Sequence, residues 1–311
     1  MTWKRGNRLK LISEVEAPAR TVEIFSEVCH ALGVPKVPLL YRAYAAVPRF
    51  LDLHWQVFRP ALESRQFFVL GGLLAAESYT RAHNYFLVPR LPGRRPTHSR
   101  PSESPAKLPL SQVLDYYQYL DPLMLLVAAT QMQAFEGTIG LEDGLLEPGV
   151  HPEFPMAPHL VNDEQAPSTV LRIWDERRRI FDVAFISDEH RALAAWPGFY
   201  HEYWGALKEL LRSPLYTDCQ FRIGESAGSL ARELPVRLET GVLQLFEAGI
   251  NADEVSSLSR LHESLVNALS GLVLDVTFAR IACEGGTRPE QNLEPTDVAL
   301  DEKIDARTKA A

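Results

Sequence analysis

RAYAAVPRFLDLHW, at Arg42–Trp55, and RALAAWPGFYHEYW, at Arg191–Trp204, are two versions of one segment. Arg, Ala, Ala, Ala, Pro, Phe and Trp recur in register, 149 residues apart. Widening the comparison to Ile24–Ser64 against Ile173–Ser213 gives twelve identities in 41 positions without a gap, where composition alone gives about two or three. A second match, at an offset of 148, sets Leu110, Ser111, Leu126, Ala134, Glu136 and Gly137 against Leu258, Ser259, Leu274, Ala282, Glu284 and Gly285. The chain therefore reads as a helical repeat over 15–140, a proline-rich linker over 141–168, a second helical repeat over 169–288 and a polar tail over 289–311. The two repeats are expected to form one unit.

Each repeat reads as helical. Ala19–Leu32 and Val170–Phe181 carry apolar residues near a period of 3.6. Short helices at Leu39–Ala46 and Asp188–Ala195 stop before a proline, which disfavours helix in the residue preceding it. Pro48 and Pro197 then suit the first turn of a longer helix, where a missing N–H is not needed. Further helices are expected at Gln66–His83, Ser111–Phe135, Cys219–Glu233, Val236–Glu247 and Ala252–Cys283, the last capped by Asn251. No run shows strand alternation bounded by hairpin turns. The expected class is all-α, two tandem helical repeats forming an intrachain pseudo-dimer. Pro89–Pro109, with six prolines and four arginines, is expected to be an exposed loop.

Composition narrows the function. The 311 residues are 46% hydrophobic and 23% charged, which excludes a disordered chain, a collagen-like fibre and a small disulfide scaffold. A formal charge of −8 argues against a nucleic-acid partner. Cys29, Cys219 and Cys283 form no CxxC pair, so neither a zinc ribbon nor a dithiol redox centre is expected. The start, MTWKRGNRLKLI, lacks an apolar signal region, and runs such as LMLLVAA from Leu123 are far short of a bilayer span. The expectation is a cytoplasmic protein without a membrane partner. There is no phosphate-binding glycine loop, HExxH or GxSxG. His151 and His159 lie in the proline-rich linker and are not read as metal ligands.

Asp188 stands out because the repeat breaks there. Its counterpart 149 residues earlier is Leu39. Two equivalent halves would make two equivalent sites, whereas a single site needs such an asymmetry. The competing reading is an N-cap, since Asp188 immediately precedes a helix. A carboxylate fully engaged in capping would be a poor base. Trp55 and Trp204 occupy one place in both repeats, and packing across the internal interface accounts for them.

Four segments together resemble the group I 2-haloacid dehalogenases: VPKVPLLYRAYAAVPRFLDLHW at Val34–Trp55, YLDPLMLL at Tyr119–Leu126, HPEFPMAPHLV at His151–Val161 and ISDEHRALAAWP at Ile186–Pro197. The resemblance implies an all-α pseudo-dimer that hydrolyses a short 2-halocarboxylic acid to a 2-hydroxy acid and halide. It implies no metal or organic cofactor, a small carboxylic acid as substrate, and homodimerisation. It places the water-activating aspartate on Asp188, with Ser187, Lys36, Leu39 and Trp55 as substrate contacts and Asp121 as a second catalytic polar group. Three departures bear on activity. Asp121 stands where the family has an asparagine, Lys36 and Leu39 stand where it has an aromatic residue and a phenylalanine, and Pro89–Pro109 replaces a helix-rich stretch. Two ionised carboxylates about 5 Å apart at an effective dielectric of roughly 20 would repel by about 3 kcal/mol. Lys36 offsets Asp121 or binds the substrate carboxylate if it points inward, and is otherwise a solvated surface lysine. The alternative to catalysis is a diverged, non-catalytic small-molecule binder or scaffold.

Overall fold

The segment around Pro48 folds as its residues dictate. Helix α2 (Leu39–Tyr44) ends just ahead of Pro48, which opens α3 (Pro48–Leu62), and the same steps join α7 (Asp188–Leu193) to α8 (Pro197–Leu210). Ser64 accepts from the Phe67 amide to start α4 (Arg65–Tyr85), and Ser213 accepts from the Leu215 amide to start α9 (Pro214–Ala231). With α1 (Ala19–Leu32) and α6 (Ser168–Phe181), these helices pair off as α1/α6, α2/α7, α3/α8 and α4/α9, each pair beginning 149 residues apart. The computed structural model describes residues 11–91, 108–137, 139–141, 146–181 and 185–287. Among these, α5 (Leu110–Ala134), α10 (Val242–Glu247) and α11 (Ala252–Glu284) complete an all-helical architecture whose only β-type pairings are two isolated bridges.

The equivalent positions also make equivalent bonds. Trp55 Nε1 donates to Glu27, and Trp204 Nε1 donates to Glu176 at 2.6 Å. Arg59 and Lys208 pair with the same two glutamates. The Ile12 amide reaches the Arg42 carbonyl as the Val161 amide reaches that of Arg191. Trp55 and Trp204 therefore each pin the third helix of a half to that half's own first helix; they do not bridge the halves as expected.

The centre is the pair α5 and α11, packed along one another and flanked by α4 and α9. From Leu120 to Gln131 every residue of α5 is buried, so this stretch is apolar on nearly all sides. By length and composition α11 could cross a membrane, but 78% of its most apolar window is buried among the other helices, as a core helix requires. An Asn251–Glu254 capping box starts it.

Several boundaries differ from expectation for identifiable reasons. Helix α9 begins at Pro214 and not Cys219, because Ser213 caps it and proline is tolerated in the first turn. Residues 236–241 are not helical, since Leu238 pairs with Ile139 instead. Most of Pro89–Pro109 and of the tail lies outside the described residues. At the near edge of that proline-rich stretch, Leu91 is buried and its amide bonds to the Ala282 carbonyl.

The described part of the linker is a strap, bonded at both ends. The Gly149 amide bonds to Glu63, the Phe154 amide to Gly33 and the Val161 amide to Arg191. Gly33 ends α1 in the left-handed region at φ 64°, and a Cβ there would lie 2.4 Å from the Pro152 carbonyl oxygen. Both the backbone conformation and the approach of the strap require glycine. Gly33→Ala should lower stability by about 2–3 kcal/mol in denaturant unfolding. An unchanged midpoint would show that the strap yields freely at this turn.

Candidate active site

Three pieces of backbone converge beside the strap. The turn after Gly33 carries Lys36, the first turn of α7 carries Asp188 and Glu189, and the middle of α5 carries Asp121. Between them lies a cleft of about 460 Å³, including its open mouth, walled by Leu39, Tyr116, Met124 and Pro158 among others. Asp121 precedes Pro122, which has no N–H to offer the carbonyl one turn earlier, so the α5 ladder is interrupted where it meets the cleft.

Asp188 is not the N-cap. That position belongs to Ser187, whose side chain makes no capping bond, and Asp188 is the first residue of α7. Its carboxylate instead accepts from Arg42 Nη2 at 2.7 Å, with Lys36 Nζ at 3.9 Å. Both contacts run through Oδ2. The broken symmetry explains the Arg42 contact. Arg42 and Arg191 are equivalent, but the position that would answer Arg191 is Leu39, which carries no charge. Arg191 turns to Asp163 at 2.8 Å and to the Val161 carbonyl, while Arg42 reaches across to Asp188.

Asp121 and Glu189 lie deeper, at 2% and 6% exposure. Oδ2 of Asp121 and Oε2 of Glu189 are buried and receive no bond from any described N–H or O–H group. The two carboxyls line one cleft, and each acts on the titration of the other. Burial pushes Asp121 well above the ordinary carboxyl range, and the charges of Glu189, Asp188 and Asp275 add to it. Burial raises Glu189 too, partly offset by the Ser187 hydroxyl and by Asp121. The direction is that Asp121 holds a proton and donates it toward Glu189. The repulsion expected between Asp121 and Asp188 is thereby relieved. Burial lowers Lys36, and Asp188 offsets part of that shift.

The structure brings Asp188, Asp121, Lys36 and Leu39 to one cleft. Lys36 leans toward Asp188 at the mouth of the cleft, its side chain 34% exposed. Ser187 stands one residue behind the wall, buried beside Glu189. Trp55 does not belong to the cleft: it is 1% exposed, edge-on to Tyr41 and bonded to Glu27. Glu189, Arg42 and Tyr116 were missed. Glu189 adjoins Asp188 in the sequence, but neighbouring helical residues point about 100° apart, so adjacency carries no signal that both face one cavity. Among the described residues no group of three or more His, Cys, Asp or Glu side chains is arranged to hold a metal ion.

These features define a class: an all-helical protein with a small cleft in which one ion-paired carboxylate faces two buried acids. The model of the family described as halocarboxylic acid dehydrogenase DehI matches residues 35–190, which include every charged residue of the cleft, and the chain belongs to this family. Its relatives are enzymes. An (R)-2-haloacid dehalogenase of Pseudomonas putida is 22% identical over 276 residues, covering 86% of this chain and 91% of the relative. An (R)-2-haloacid dehalogenase of Rhizobium sp. (strain NHG3) is 26% identical over 243 residues, covering 73% and 90%. In fold, the chain is similar to a D-2-haloacid dehalogenase mutant in complex with D-2-CPA, with a TM-score of 0.80 at 22% identity, covering 89% of this chain and 97% of that one. A complex of D-2-haloacid dehalogenase with L-LA gives 0.78 at 21% identity, covering 91% and 100%.

Proposed function

We propose that the protein is a cofactor-free hydrolase of short 2-halocarboxylic acids, in which Asp188 activates a water for direct displacement of halide at C2. The observation that carries this reading is Asp188 itself: a carboxylate in the cleft, steadied through Oδ2 by Arg42 and Lys36, with Oδ1 left to receive a proton. The water oxygen forms the bond to C2, the carbon–halogen bond breaks with its electron pair leaving as halide, and the water's proton passes to Asp188. Attack from the face opposite the halogen gives the 2-hydroxy acid with inversion. Orientation in a cleft this small supplies much of the rate.

Lys36 is the group for the substrate carboxylate. Its Nζ lies 3.9 Å from Asp188 Oδ2, so a carboxylate bound to it sits beside the base. Leu39 and Met124 offer an apolar wall to the C2 substituent, and Ser187, buried with its hydroxyl unpartnered among the described residues, stands behind Asp188. The helix pairs offset by 149 residues and their matching Trp–Glu bonds support an ancestral duplication, with the halves meeting as a pseudo-dimer around this cleft. The free thiols Cys29, Cys219 and Cys283 support a reducing, cytoplasmic setting.

The test is halide release from each enantiomer of 2-chloropropionate, with chiral analysis of the lactate formed. Lactate of retained configuration would sink direct displacement. Lys36→Met should raise KM for 2-chloropropionate about tenfold to a hundredfold, as loss of one charge-assisted bond implies, with kcat changed far less. A fall confined to kcat would show that Lys36 serves Asp188 and not the substrate.

A further inference from the structure

The reaction above leaves two cleft carboxyls without a task. Asp121 comes from α5 and Glu189 from α7, so the tertiary structure alone brings them together. Both are buried, both line the cleft, and each has an oxygen that no described donor reaches. An unpartnered buried carboxylate oxygen is costly, and two facing carboxylates cannot both ionise cheaply. A single proton between them satisfies both. We infer that Asp121 and Glu189 hold one proton jointly, and that this acid pair admits an anionic 2-haloacid to the cleft only while the proton is retained. The inference rests on the haloacid reading of the site.

The charges around the pair make the proton decisive. Lys36 from the turn after α1 and Arg42 from α2 supply two positive charges. Asp188 from α7 and the singly ionised pair supply two negative ones, so these groups cancel. Tyr116 and Tyr117 of α5, held neutral by burial, add nothing. Asp275 of α11 stands behind the pair, with Arg177 at 3.7 Å as its counter-ion. Loss of the shared proton leaves the cleft net negative just where a carboxylate must enter. Asp121 and Glu189 are thus positioning and charge-selecting residues, and the proton is not transferred in the reaction.

Infrared difference spectra of the ligand-free full chain across pH test the pair directly. A protonated-carboxyl band should persist at neutral pH, disappear on alkaline titration, and be missing from Asp121→Asn. Binding of lactate, an unreactive carboxylate probe, should weaken tenfold per pH unit above the midpoint of that band. In Asp121→Asn, whose amide has no proton to lose, the affinity should be flat over the same range. Glu189→Gln provides a second variant: it should move the midpoint to lower pH, because a like charge beside Asp121 is gone. A wild-type protein without the band, or variants with an unaltered pH dependence, would overturn the pair. Halide release without the band refutes the pair and leaves the hydrolase reading standing. The band and pH-gated lactate binding, with no halide released from any 2-haloacid, uphold the pair and refute the hydrolase.

Discussion

Asp188→Asn should slow halide release from 2-chloropropionate by about 10²–10⁴-fold, the range expected when a general base is removed. The substitution keeps the shape of the side chain and an oxygen for Arg42 to bond. It removes the group that can take a proton from water. Arg42 loses its counter-ion, but both side chains are partly exposed, at 17% and 16%, so the cost in stability is small. Activity and stability therefore separate in this variant. Halide assays beside thermal melts decide the matter: a folded Asp188→Asn protein that releases halide at the wild-type rate removes Asp188 from the mechanism. Ala in place of Asn should be no less active than Asn if the loss is chemical, since neither carries a base.

Acid should unfold this protein steeply, because three histidines are buried neutral. His54 and His190 are held down to about 4 and His262 to about 3, with burial the leading cause in each. Their bonds suit the neutral ring. His262 Nδ1 donates to the Leu258 carbonyl at 2.7 Å and its Nε2 accepts from the Tyr44 hydroxyl at 2.8 Å. His54 Nδ1 donates to Gln131 at 2.8 Å, and His190 meets the Tyr200 hydroxyl at 3.1 Å. In the unfolded chain each ring takes up a proton near its ordinary value of about 6.5, while the folded ring refuses it until far lower pH. Below about pH 6.5 the unfolded state thus binds more protons, and stability falls with pH at about 1.4 kcal/mol per unit for each histidine. Asp121 and Glu189 act oppositely. Their folded values are raised, so the folded state holds protons that the unfolded chain has lost, and they offset one to two of the three slopes. The net loss should be about 1–3 kcal/mol per pH unit between about pH 6 and 4.5. Denaturant unfolding at stepped pH measures it directly. A stability that stays level over that interval would mean the rings are already charged in the fold.

The fold was legible because the repeat is written in framework residues. Pro48 and Pro197 mark helix starts by backbone chemistry alone, and the shared alanines mark close packing at the short helices before them. The candidate cleft was legible where the two matching segments differ, at Asp188 against Leu39, both of which line it. Trp55 misled for the complementary reason. A residue that both copies share, like Trp55 with Trp204, belongs to the framework, and each proves to hold its own half together through a glutamate. Arg42 was hidden in the same way. It matches Arg191 in sequence, and only the three-dimensional placement of Asp188 shows that the two arginines serve different partners. Glu189 and Tyr116 depend on how helices pack, which periodicity along one chain does not encode.

The strap between the halves bears on which acids can be turned over. Its Phe154 amide is tied to the turn that carries Lys36, and its Val161 amide to the helix that carries Asp188; Pro158, between these ties, forms part of the cleft wall. One stretch of the aperture is thus held like a buckled belt, by main-chain knots and a rigid ring. If the haloacid reading holds, bulk at C2 that presses on this stretch should meet more resistance than bulk directed at the side-chain walls of Leu39 and Met124.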